Sequence, residues 1–228
     1  MNSTVQKISI FVRRIIASER VNKCAIVRKT TRLIMKTNGI RNANKYMSKR
    51  EEIKLDLGCG SVKRDGFVGI DLSSQADIQW DLRWGLPFPN NSIIEIRSDH
   101  CLEHLDLSMC VMVLKECNRV LIPGGILDFT VPHIDPYLDA YITRDINFIN
   151  QKISDIPESQ EELYNTCFDR IVWLLHRAGE HKSLFDQESI VAKVKLAGFE
   201  KITIRSFDDK RDINPRFSSI YVMAEKAI

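Results

Sequence analysis

Residues 55–72 read LDLGCGSVKRDGFVGIDL: an apolar run, a Gly58-Cys59-Gly60 turn, and a second apolar run that reaches Asp71. Glycines at the mouth of a strand let the backbone approach a ligand closely, and turn amides there can meet an anionic group. An acid at the tip of the next strand is placed to accept hydrogen bonds from ribose hydroxyls. Together they point to a ligand that carries a nucleoside, held at the carboxyl ends of parallel strands. The dinucleotide pattern is not met. Lys63 stands where the third glycine of Gly-x-Gly-x-x-Gly would be, and residues 61–66 are too few for the helix that motif opens. An ordinary tight turn also produces Gly-x-Gly, so the rest of the chain has to decide.

The elements that would position these residues can be read from periodicity and punctuation. IKLDL (53–57) and GFVGIDL (66–72) read as strands, as does SIIEIRSD (92–99). Ser108 is expected to cap a helix whose Met109, Val113, Cys117 and Val120 share a face, with Pro123-Gly124-Gly125 stopping it. ILDFTVP (126–132) is a buried strand, and Asp186 caps a helix that ends at Gly198. KITIRSF (201–207) and SSIYVMAEK (218–226) close the chain as two strands around a polar loop. Residues 133–185 are long for a simple connection, and a helical insert covering the site is expected there. Its Tyr137, Tyr141, Tyr164, Trp173, His176, Arg177 and His181 suit a polar organic acceptor, although aromatics at helical spacing also read as core.

In order along the chain, LDLGCG (55–60), VGIDL (68–72), DLRWGLPFPNNSI (81–93), SDHCLEHL (98–105), NRVLIPGGILDFTVP (118–132) and GEHKSLFDQESIVAKVKLAGF (179–199) make a pattern far more specific than any one of them. The chain resembles a class I S-adenosyl-L-methionine (SAM)-dependent methyltransferase, and more narrowly the bacterial type 11-like group often associated with cell-surface saccharide biosynthesis. The resemblance implies an α/β, three-layer Rossmann-like methyltransferase fold, a mostly parallel sheet with an antiparallel last strand. It implies that Asp56 and the amides of Gly58, Cys59 and Gly60 hold the methionine end. Asp71, with Leu72 beside it, takes the ribose. Asp81 accepts from the adenine amino group with the Leu82 amide facing the ring, and Ser98 and Asp99 border the sulfonium. Two departures stand out: the short loop after Gly60, which leaves one wall of the pocket to come from elsewhere, and Ile94 where the group commonly has Asp.

Methyl transfer from a sulfonium is an in-line displacement, in which the protein aligns acceptor and methyl and excludes water. A hydroxyl acceptor also gains from a general base. His133 and Asp135 directly follow the fifth strand and His100 the fourth, and they are the candidates in that order; each also reads as a satisfied structural residue. His104 and Glu103 read as helix packing. Cys101-x-x-His104 is half a zinc pattern, but no second pair at metal spacing follows, so no metal is expected. No nucleophile elbow or phosphate-binding Gly-x-x-x-x-Gly-Lys appears. Two functions remain: a SAM-dependent methyltransferase O-methylating a saccharide or related polar small molecule, and a SAM-binding or inactive scaffold protein of the same fold.

Composition frames these readings. The 228 residues, 44% hydrophobic, suit one cored domain with an appendage. Residues 51–228 are expected to form that domain, and residues 1–50 a basic amphipathic helical extension. Residues 1–50 hold 13 Lys and Arg against the single acid Glu19, a charge of +12, so the remainder carries −9 of the net +3. Val5, Ile8, Phe11, Val12, Ile15 and Ile16 recur at helical steps among the cations. Such a segment can pack on the domain, lie on an anionic membrane surface, or serve as a transit peptide, although it lacks the Ser richness of the last. Without aromatic interleaving, no nucleic acid partner is expected. Six cysteines at irregular spacing read as reduced thiols, and Arg13 and Arg14 interrupt the longest apolar stretch, so a cytoplasmic protein is expected, peripheral to the inner membrane if the extension binds lipid.

Overall fold

The computed structural model describes residues 25–49, 51–213, 215–216 and 218–228. The basic amphipathic run from Val5 to Ile16 lies outside the described residues. Helix α1 spans Ala25–Met47. Strands β1 (Lys54–Leu57), β2 (Phe67–Asp71), β3 (Ile78–Gln79) and β4 (Ile93–Asp99) precede helix α2 (Leu107–Val120) and strand β5 (Leu121–Pro132). Helices α3 (Asp135–Thr143), α4 (Ile146–Lys152) and α5 (Cys167–His176) come next, then α6 (Gln187–Leu196), β6 (Phe199–Arg205) and β7 (Ser219–Lys226). No helix among the described residues is long and apolar enough to cross a membrane.

The seven strands lie in the order β3-β2-β1-β4-β5-β7-β6, with β1 to β5 parallel and β7 antiparallel to both its neighbours. β1 leads outward to β2 and β4 outward to β5, so the strand order reverses between β1 and β4. That is the switch point at which open α/β sheets bind ligands.

Alternation decides what each face does. Leu55, Leu57, Val68, Ile70, Ile96, Leu127 and Phe129 are fully or almost fully buried and pack with Val113, Leu114 and Cys117 of α2 and Ile190 and Val194 of α6. Burying each such large side chain contributes about 1.5–3 kcal/mol. The opposite face is charged. Lys54 lies directly across from Glu95, and Asp56, Arg97 and Asp128 stand side by side on β1, β4 and β5, so that opposite charges meet across the sheet. Arg205 (2.6 Å) and Arg211 (3.1 Å) both close on Asp128, and Arg205 also meets Asp212 at 2.7 Å.

Some local expectations shift. Asp106, not Ser108, caps α2: its carboxylate accepts from the Met109 amide at 2.9 Å, while the Ser108 hydroxyl donates to that same carboxylate. Pro123-Gly124-Gly125 does not stop this helix. The chain turns extended at Leu121 and the three residues lie inside β5. β6 begins at Phe199, two residues before the expected run. Asp186 does cap α6, accepting from the Ser189 amide at 2.6 Å. No helix lies between β1 and β2 or between β2 and β3; the loop after Gly60 is instead met by the loop after β6, where the Arg211 carbonyl accepts from Arg64 and, at 3.1 Å, from Arg97. Residues 135–176 form a helical layer with its own apolar cluster, centred on Ile149, Ile153, Ile171 and Trp173.

Candidate functional site

At the switch point the chain leaves β1 through Gly58 and β4 through His100 and Cys101. Gly58 has φ +70°, and a Cβ there would lie 2.4 Å from the Cys101 sulfur, so only glycine allows the two strand ends to approach. Beside it a cavity of about 340 Å³ opens, lined by Gly58, Asp71, Leu72, Asp81, Leu82 and His100, among others. Five of the ten residues expected around the cofactor therefore meet at one opening.

Asp71 is fixed from behind. Its Oδ2 accepts from the Gly60 amide at 3.0 Å and its Oδ1 from the Ser73 amide at 2.6 Å. A carboxylate has about four acceptor positions, so capacity remains for two hydroxyl donors. Asp81 is engaged differently. Arg83 grips it in a fork, Nε to Oδ1 at 2.8 Å and Nη2 to Oδ2 at 2.6 Å, and the Arg83 amide adds a third bond at 3.0 Å. Burial works to raise this acid, but the Arg83 hydrogen bonds outweigh it and hold the carboxyl below its ordinary range. An amino donor at Asp81 must share it with Arg83.

The remaining expected residues lie elsewhere. Gly60 stands behind Asp71 as its donor, and the Cys59 sulfur abuts Gly69, where an added Cβ would lie 2.7 Å from it. Asp56 is buried on the charged face, 3.5 Å from Arg64, and burial above all raises its pKa. Ser98 donates to the Leu57 carbonyl at 3.0 Å and so ties β4 to β1. Asp99 accepts from Thr130 at 2.6 Å and meets Arg216 at 3.3 Å. Ser98 and Asp99 border a small charged pocket with Asp128 and not the larger cavity. Burial first, aided by neighbouring acids, pushes the Cys59 and Cys101 thiols up to about 12, so neither is a thiolate nucleophile at neutral pH.

Sequence reasoning passed over Trp80, Arg83 and Lys182 and read His104 as packing; all four line the cavity. The signal for Trp80 was its place immediately before Asp81: its indole donates to the Gly85 carbonyl at 2.6 Å and its ring meets Trp84 edge-on at 5.3 Å, which sets an aromatic wall. His104 is an exposed residue of a 3-10 turn (Leu102–His104), not helix packing as expected. Lys182 reaches the site by a long-range fold contact that no local pattern announces.

A second cavity of about 250 Å³ adjoins, lined by His100, His133, Tyr137, Arg177, His181 and others. His100 lines both, with φ +50° at the tip of β4. Its Nε2 lies 2.9 Å from the Ser219 hydroxyl and its Nδ1 3.2 Å from Glu103 Oε1, so both ring nitrogens are engaged. His133 Nε2 meets Asp135 Oδ2 at 3.0 Å. A carboxylate only accepts, so Nε2 carries the hydrogen and Nδ1 is left as the basic nitrogen. Two of the three candidate catalytic residues, His100 and His133, thus border one space, while Asp135 meets it only through its bond to His133; of the two histidines, His133 is the one that keeps a free lone pair.

No family model and no curated protein matches the chain. Solved structures do resemble it. A SAM-dependent methyltransferase from Methanosarcina mazei is 18% identical with a TM-score of 0.49, over 81% of this chain and 97% of that one. One from Archaeoglobus fulgidus is 12% identical with a TM-score of 0.48, over 82% and 92%. One from Mesorhizobium loti is 14% identical with a TM-score of 0.44, over 84% and 100%. The fold itself rests on the sheet order, the reversal between β1 and β4 and the antiparallel β7. The fold is Rossmann-like. Likeness of this degree carries no argument about chemistry, so the activity has to come from the site.

Proposed function

We propose that the chain is a SAM-dependent methyltransferase that O-methylates a saccharide or related polar small molecule. One observation carries the reading: a carboxylate with spare acceptor capacity, Asp71, stands beside Gly58 at the switch point, on a cavity walled by Trp80 and Leu82. That donor set suits a nucleoside, with the acid for two ribose hydroxyls and an aromatic and apolar wall for a purine. When bound, the cofactor supplies a methyl group activated on a sulfonium for in-line displacement. Asp71 holds the ribose end, and Gly58 lets the backbone come close. In the adjoining cavity the acceptor hydroxyl meets His133, whose Nδ1 takes the proton while Asp135 steadies the ring. Tyr137, Arg177 and His181 give that cavity the mixed aromatic and polar lining a sugar needs.

A second reading, a SAM-binding or inactive scaffold protein, is favoured by the absence of a helix between β1 and β2 and by the Gly60 amide, which points to Asp71 and not to open space. Calorimetric titration separates the two at their first step. SAM and S-adenosylhomocysteine are expected to bind and NADH not, and Asp71→Ala should weaken both sulfur ligands by at least roughly 100-fold, since two hydrogen bonds to a charged group contribute about 3 kcal/mol or more. A folded sample that binds neither would sink the enzyme reading and put the scaffold first.

For residues 1–50 the charge of +12 supports contact with an anionic membrane surface and a protein peripheral to the cytoplasmic side of the inner membrane. The packing alternative holds for the part of α1 where Ala43 is buried and Gly39 sits against Trp80. Full-length chain is expected to co-sediment with anionic vesicles better than a chain starting at Ser48; equal sedimentation would remove the membrane reading.

A further inference from the structure

Glu103, His104 and His181 come together in the wall between the two cavities, each offering a ligand atom, and those atoms all lie within 4.8 Å of one another. Two of the three are buried and leave a polar atom without a partner. Glu103 is 1% exposed and its Oε2 has no hydrogen-bond partner; His181 is 6% exposed and its Nδ1 has none. A buried carboxylate oxygen and a buried ring nitrogen left bare in one such cluster each carry a desolvation cost, and such groups call for a missing partner. A carboxylate oxygen accepts, and so does the unprotonated nitrogen of a neutral imidazole. The partner that satisfies two converging lone pairs is a cation.

The Glu180 carbonyl fixes the His104 hydrogen in the arrangement a metal ligand requires. His104 Nδ1 lies 3.0 Å from the Glu180 carbonyl, which can only accept, so the ring hydrogen is on Nδ1 and the lone pair on Nε2. His181 Nδ1 has no hydrogen-bond partner, so this ring can present a lone pair on that nitrogen. Glu103 Oε1 faces His100 Nδ1 at 3.2 Å and leaves Oε2 free. A carbonyl behind His104 and a histidine behind Glu103 give two of the ligands the outer support usual in a metal site. The backbone is stapled as well: the Lys182 and Ser183 amides donate to the Glu103 carbonyl at 2.8 and 3.1 Å, and the Ser183 hydroxyl to the Leu105 carbonyl at 2.8 Å.

We infer that Glu103, His104 and His181 form a binding site for a divalent first-row transition metal of the zinc class, with its open coordination position turned to the larger cavity. One carboxylate and two imidazoles are the donor set of zinc sites that keep a position for water or substrate. On a tetrahedral ion with bonds of about 2.1 Å, ligand atoms stand about 3.4 Å apart, so closure on the order of 1 Å completes the site. His104 is exposed and lines that cavity, and His181 lines the other, so the ion sits where an oxygen ligand can reach it. The Cys101-x-x-His104 spacing has no part in it; the partner of His104 is His181, far along the chain.

The test uses untagged full-length protein stripped by a chelator and needs no turnover, so it stands or falls apart from methyl transfer. Titration with Zn²⁺ is expected to show one equivalent bound and a raised Tm, and Co²⁺ is expected to give ligand-field bands without a thiolate charge-transfer band. His104→Ala, an exposed change, and Glu103→Gln, which keeps the shape, should each weaken Zn²⁺ by at least about 100-fold. No uptake by the stripped protein, uptake by both variants as tight as that of the unmodified protein, or a thiolate band that moves the ion to Cys59 or Cys101 would each overturn the site.

Discussion

Replacing Asp128 with alanine is expected to destabilise the chain by about 3–5 kcal/mol and to lower Tm by roughly 10 °C. Asp128 is 2% exposed in the middle of the sheet. Its Oδ1 accepts from Arg205 Nε at 3.1 Å and Nη2 at 2.6 Å, and its Oδ2 from Arg211 Nη1 at 3.1 Å, with Arg97 directly across on β4. Removal of one partner from such a set costs more than the set itself contributes, because the Arg205 guanidinium stays largely out of water. Arg205 keeps Asp212 at 2.7 Å, which is why the cost stops short of unfolding. Arg211 is half-exposed and its loss should matter far less, so Arg211→Ala serves as the control in urea unfolding. A change under about 1 kcal/mol in Asp128→Ala would mean that the charged face is solvated rather than structural.

That face also shows what the sequence hides. Asp56, Arg97 and Asp128 each sit among alternating apolar residues, and each alone reads as the polar member of a half-buried strand; their meeting depends on parallel register across three strands, which no local pattern carries. The missing wall after Gly60 has the same origin. The short loop 61–66 is visible in the sequence, but the Arg211 carbonyl that meets Arg64 comes from almost 150 residues later, a separation of 147. By contrast Asp71 at the tip of β2, Gly58 at the end of β1 and Asp186 at the start of α6 are legible, because turn glycines, strand-tip acids and helix caps are decided within a few residues. The cap of α2 falls two residues from its expected place for a related reason: Asp106 and Ser108 are both capping types, and only the observed hydrogen bonds separate them. The Glu103, His104 and His181 group lies beyond local reading, with one member near the end of the insert.

Substitution of His133 by alanine is expected to lower turnover by about 10²–10⁴-fold while SAM binds as before. Turnover would be read as S-adenosylhomocysteine formed with nucleotide sugars and glycans as acceptors, and binding by calorimetry. The split follows from the layout: His133 lines the smaller cavity and not the one that holds Asp71, so its loss should spare the cofactor. Asp135→Asn should cost less, since an amide can still bond the ring at 3.0 Å but no longer favours the charged imidazolium that forms as the proton arrives. His100 is the weaker candidate, because the Ser219 hydroxyl and Glu103 occupy both its nitrogens, and its replacement would disturb β7 and Glu103 together. A mixed loss of stability and activity there would therefore say little about proton transfer. Full turnover in His133→Ala is the outcome that removes the base assignment: the hydroxyl would then give its proton to water, and the His133–Asp135 pair would be left to bind the acceptor alone.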